Sequence, residues 1–152
     1  MQNANGEPAA LILQAVLALG RRLRAERPPG SVSLSGISIL ATLSRLGSVP
    51  ASRLATEERL QPQSLTRIVI GLERDGMIAR KRSDTDRREI TIALTERGRR
   101  ALAKDIDARR AWLEAAVTAV LTAAERDVLF RASAAMLKLA WHDRQTVEAS
   151  AP

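Results

Sequence analysis

Apolar residues recur along this chain with two different periods, and the change of period marks its organisation. Between Pro62 and Arg74, Leu65, Ile68, Val69 and Leu72 fall at i, i+3, i+4 and i+7, one stripe of an α-helix that must pack on something else. The opposite face carries Gln63, Thr66, Arg67 and Arg74 and is free to touch a partner. Pro62 suits a first turn, where its missing N–H has no helical partner anyway. Gly76 follows as a left-handed cap. The period then shortens to two: Ile90, Ile92 and Leu94 alternate with Glu89, Thr91 and Ala93, as in a strand with one buried face. Ile78 to Arg82 can pair with it across the tip Ser83 to Arg88, where Ser and Asp favour a turn.

Upstream, the helical period returns three times. A helix from Pro8 to about Arg27 places Leu11, Ala15, Leu19 and Leu23 in one stripe, and Ile12, Val16 and Leu17 widen it. So wide an apolar surface on a terminal helix suggests a dimer interface. Pro28-Pro29-Gly30 breaks this helix, and Ser31 to Ser35 supplies caps for the next. There Ile37, Leu40, Ala41 and Ser44 face one way, with Leu43 and Leu46 close by, until Gly47 stops the helix. After the connection Ser48-Val49-Pro50, a short helix from Ala51 to Arg59 turns Leu54 and Ala55 inward, and Leu60-Gln61 leads into the helix at Pro62. Two such helices joined by a tight turn and followed by a β-ribbon predict a winged helix-turn-helix.

Downstream, Thr95 caps a long helix with Glu96 in its first turn, where a negative charge complements the helix dipole. It continues through Arg99, Leu102, Ile106, Arg109, Leu113 and Val117 to about Leu121. Thr122 to Glu125 forms a capping box. The last helix carries Val128, Leu129, Ala132, Met136, Leu139 and Ala140, again more apolar surface than one small lobe needs. Met1 to Gly6 and the end from about Gln145 are expected to fray. The fold class is therefore mainly α with a small two- or three-stranded β wing. Within a single domain, about 33–94 would form the winged lobe, and about 8–27 and 95–145 a helical dimerisation region.

A chain of 152 residues fits one domain, and 45% hydrophobic residues suffice for a core. Charge adds more. A net charge of +7 and a pI of 11.2 favour a polyanionic partner, and a homodimer would carry twice that charge. Arg67, Arg74, Arg80, Lys81, Arg82, Arg87 and Arg88 concentrate it in the helix and ribbon described above. The lack of cysteine excludes disulfides, thiolate metal sites and thiol redox sensing. The apolar run Ala9 to Leu19 is interrupted by Gln14 and falls short of the ~20 residues of a spanning helix. No basic segment precedes it, so no membrane association is expected and the location is cytoplasmic. With His142 as the single histidine, neither a metal site nor a cofactor is expected. Trp112, Phe130 and Trp141 fit interface packing on the outer helices, and no nucleophile stands beside a base, so enzymatic activity is not expected.

Asp86-Arg87-Arg88, then Leu94-Thr95 and Gly98, preceded by Leu72-Glu73, Gly76 and Arg80, resembles the signature of the MarR family of bacterial transcriptional regulators. That signature runs L-E-x-x-G, two hydrophobic residues, x-R, then D-x-R, then L-T-x-x-G. The resemblance covers Ser33 to Leu102 closely and the flanking helices in pattern. It implies a homodimeric regulator, a repressor, that binds double-stranded DNA at a pseudo-palindromic site and is released by a small aromatic or anionic effector.

On this reading Pro62, Gln63, Ser64, Thr66 and Arg67 lie at the end of the helix that meets base edges in the major groove. Arg67 suits guanine and Gln63 adenine, while either could equally take a phosphate. Arg88 would enter a minor groove beside Arg87, and the resemblance implies that Asp86 holds it by a charge-assisted hydrogen bond. Ser35, Ser38, Arg53, Arg74 and Arg82 would contact phosphates and set register. No motif marks the effector's lining residues. The competing reading is a winged lobe that coats DNA without sequence preference or binds a protein.

Overall fold

The computed structural model describes residues 6–82 and 90–142. In chain order the elements are α1 (Gly6–Ala25), α2 (Leu34–Leu46), β1 (Val49–Pro50), α3 (Ala51–Glu58), α4 (Pro62–Arg74), β2 (Ile78–Arg82), β3 (Ile90–Leu94), α5 (Glu96–Val120) and α6 (Ala123–Ala140). The strands form one antiparallel sheet in the order β1-β3-β2. The chain divides into two compact units, Met1–Arg110 and Ala111–Pro152.

Local chemistry sets most of the boundaries. Ser33 caps α2, its hydroxyl accepting the Gly36 N–H at 3.1 Å. Gly76 follows α4 with φ of 69°, a left-handed conformation that costs glycine little. Arg59 proves to be the left-handed cap of α3, with φ of 51°, rather than its last helical residue. Helix α1 starts at Gly6, before the proline expected to open it, and ends at Ala25. Thr122 and Glu125 form the reciprocal capping box at the start of α6.

In the first unit, Ile39, Leu40, Leu43 and Leu54 are fully buried and are joined by Leu65, Val69 and Leu72 of α4 and by Val49, Ile78 and Ile92 of the sheet. The inward face of α2 is turned from the expected one. Ala41 and Ser44 are exposed, whereas Ile39 and Thr42 are buried. The cause is that α2 packs on α3, α4 and β3 together, so an arc of the helix is covered rather than one narrow stripe. Thr42 tolerates burial because its hydroxyl donates to the Glu58 carboxylate at 2.5 Å.

The sheet carries a second correction. Val49 pairs with Ile92 and Pro50 with Thr91, so the wing takes the three-stranded of its two expected forms, with β3 as the middle strand. Thr91, Ile92 and Ala93 are consequently all buried. The Thr91 hydroxyl is satisfied there by Ser48 at 2.8 Å. Ile90, expected on the buried face, is 57% exposed because it lies beyond the reach of β1 and opposite Arg82.

A charged cluster closes the first unit elsewhere. The Asp105 carboxylate, 1% exposed, accepts from Arg27 Nε at 2.5 Å and from the Arg109 guanidinium one helical turn on. Arg27 also donates to the Val32 carbonyl. A buried acid persists only when so compensated. The second unit contains the end of α5 and α6, and α6 has no buried residue.

Candidate nucleic-acid interface

Helices α3 and α4 pack on each other and on α2, joined by the three residues from Arg59 to Gln61. Because Leu65, Val69 and Leu72 are 3–4% exposed, the geometry of a helix turns Gln63, Thr66, Arg67, Ile70 and Arg74 to the opposite side. All five are exposed, as are Pro62 and Ser64 in the first turn. The Thr66 hydroxyl donates to the Pro62 carbonyl at 2.8 Å, which leaves its oxygen as an acceptor facing outward. Arg74 touches Asp75 at 3.2 Å, an exposed pair that contributes little to stability.

The remaining phosphate candidates are exposed but come from separate elements. Ser35 and Ser38 lie in the first turns of α2, Arg53 in α3 and Arg82 at the end of β2. Asp86, Arg87 and Arg88, the wing-tip candidates, lie outside the described residues.

Several signature residues prove to be joints. Glu73 in the last turn of α4 pairs with Arg80 of β2 at 3.1 Å, linking helix to strand. The Thr95 hydroxyl donates to the Gly76 carbonyl at 2.8 Å and accepts the Gly98 N–H at 3.1 Å, so one side chain caps α5 and ties it to the end of α4. A Cβ on Gly98 would stand 2.1 Å from the Met77 carbonyl oxygen, so no larger residue fits.

An open cleft of about 450 Å³ lies between the Gly30–Ser33 loop and the flank of α4, with Arg67, Ile68, Leu72, Asp75 and Met77 among its walls. Arg67 is thus shared between this cleft and the outward face of α4. Two further features were missed in the sequence. Ile70 is 54% exposed amid polar neighbours, a position that a helical projection of the Pro62–Arg74 segment would have revealed. Asp105 is one polar residue among many in a charged helix, and no local signal marks its distant partner Arg27. Among the described residues no group of three or more His, Asp or Glu is placed to hold a metal ion, and no helix is long and apolar enough to cross a membrane.

A tri-helical lobe with a three-stranded antiparallel sheet and an outward-facing helix after a tight turn is a winged helix-turn-helix, a DNA-binding architecture. The MarR family profile matches residues 32–90. An HTH-type transcriptional regulator of Mycobacterium tuberculosis is 34% identical over 139 residues, which span 91% of this chain and 96% of the relative. A crystal structure from Pseudomonas aeruginosa PA01 superposes with a TM-score of 0.80 at 34% identity, covering 91% of this chain and 98% of the other. The transcriptional repressor MdtR of Bacillus subtilis is 33% identical over 67 residues, 44% of this chain and 43% of MdtR. The chain belongs to the MarR family of transcriptional regulators.

Proposed function

We propose that this regulator is a cytoplasmic homodimeric repressor without catalytic activity. Each protomer would read one half of a pseudo-palindromic operator, with α4 in the major groove and the segment around Asp86, Arg87 and Arg88 in the adjoining minor groove. The observation that carries this reading is the face of α4: Gln63, Thr66, Arg67 and Arg74 stand outside a lobe whose core closes behind them. Such a face supplies amide, hydroxyl and guanidinium groups to the groove that carries the full donor and acceptor code. Ser35, Ser38, Arg53 and Arg82 would hold the duplex through its phosphates and fix the register.

Dimerisation is supported by apolar side chains left uncovered in each unit. On α1, Leu11, Ile12, Leu13 and Leu17 are half exposed or more. On α6, Val128, Phe130 and Leu139 are exposed as well, as is Trp141 at its C-terminal cap. Exposed apolar side chains in this number call for a covering partner, and two-fold pairing is the commonest solution. For regulation, a small aromatic or anionic molecule is the effector class, and the cleft beside Arg67 supports it. An anion held there would engage a guanidinium that the duplex also needs. It would act only through different affinities for the bound and released arrangements.

Selection of duplexes from a random pool, repeated at two salt concentrations, tests the reading. The expected product contains two related half-sites whose centres lie about 10 base pairs or a multiple apart. Arg67→Ala should relax preference at one base pair per half-site, a loss of roughly 1–3 kcal/mol of discrimination. Arg88→Ala should weaken binding while the melting temperature stays unchanged. Equal affinity for every sequence, with only a salt-driven loss, would favour a module that coats DNA.

A further inference from the structure

Ile70 is out of place for an ordinary amphipathic helix. The apolar stripe of α4 is complete without it: Leu65, Val69 and Leu72 are buried, and Ile68 packs against the same core. At 100° per residue, Ile70 projects about 150° away from the middle of that stripe, between Gln63 and Thr66 and one turn from both Arg67 and Arg74. It is 54% exposed and belongs to no apolar cluster of the lobe. Every other side chain on this arc, Gln63, Thr66, Arg67 and Arg74, carries a group able to hydrogen-bond base edges or phosphates. An isolated aliphatic group among them has one complementary feature in the major groove, the C5-methyl group of thymine, which is the only apolar base substituent displayed there.

We infer that Ile70 is a specificity-determining residue that packs its branched side chain against a thymine methyl in each half-site. The inference rests on the DNA-reading role proposed for α4. It adds an apolar contact to the polar ones and predicts a fixed thymine at one position of each half-site. Arg67, three residues earlier on the same arc, would address a neighbouring base pair.

The test uses the full-length protein and a duplex recovered from the random-pool selection, with each thymine replaced in turn by deoxyuridine, which removes only the methyl group. Wild type should lose about fourfold in affinity per half-site at one thymine position, the loss for one buried methyl group. Ile70→Ala should bind the unmodified duplex correspondingly more weakly and be indifferent to deoxyuridine at that position, while Ile70→Val keeps part of the sensitivity. Melting temperatures of both variants should match wild type, since the side chain lies outside the core. If deoxyuridine costs wild type and Ile70→Ala the same at every position, or if Ile70→Ala binds as tightly as wild type, the inference is overturned while the role of α4 stands. If wild type recovers no preferred duplex at all, the role of α4 fails first and this inference with it.

Discussion

Helices α2 and α6 are both rich in aliphatic residues, yet α2 buries Gly36, Ile37, Ile39, Leu40, Thr42 and Leu43 and the longer α6 buries none. Within one chain, α2 is covered by α3, α4 and the central strand, whereas Leu139 of α6 remains 71% exposed. An apolar period therefore says that a face needs cover, not that its own chain supplies it. The lobe around α2 is closed by itself. The surface of α6 is left open, the surface that the proposed dimer would cover.

Substitutions of matched chemistry in the two regions can break this contrast. The largest effect belongs to the charged closure of the first unit: Asp105→Ala leaves Arg27 with its charge uncompensated and should cost about 3–5 kcal/mol in denaturant unfolding. Next comes the apolar core, where Leu40→Ala should cost about 2–5 kcal/mol whatever the protein concentration. Leu139→Ala, the same deletion on α6, should change the stability of dilute protein by no more than about 0.5 kcal/mol. Its mark would be a weaker dependence of melting temperature on protein concentration, because in the proposed dimer association covers that side chain. Leu139→Glu should carry this further and sediment as monomer, and an intact dimer would place the interface elsewhere.

The smallest effect separates the regions by pH. Hydrogen bonds from the Thr122 backbone N–H, and then from its hydroxyl, hold the Glu125 carboxyl below the usual carboxylate range. A lowered acid stabilises the fold at neutral pH and withdraws that support as pH falls through its value. Circular dichroism should show wild type losing slightly more helix in acid than Glu125→Gln, whose capping does not titrate. Equal acid profiles would mean that the box adds nothing to α6.

Most of this architecture was legible because its signals are local. The stripe of α4, the Gly76 cap, the Thr122 box and the change of period at the strands each occupy a few consecutive residues. What escaped depends on distant partners. β1 is two residues long, too short for any period, and exists because Ile92 lies opposite Val49. That pairing in turn buries Thr91 and displaces Ile90 from the expected face. Asp105 and Arg27 are separated by 78 positions, and nothing near either one announces the other. The exposed face of α4 follows directly from the helical period. Ile70 stands apart from that period, because it lies on the uncovered side of the helix.

The corner made by Thr95 and Gly98 carries a mechanical consequence. With no clearance between the Gly98 backbone and the Met77 carbonyl, and with the Thr95 hydroxyl clasping Gly76, the opening turn of α5 cannot slide past the segment that terminates α4. Any displacement of that turn must therefore carry the end of α4 with it. Gly98 is thus the point of closest approach in this joint, and a single added methyl would wedge it open.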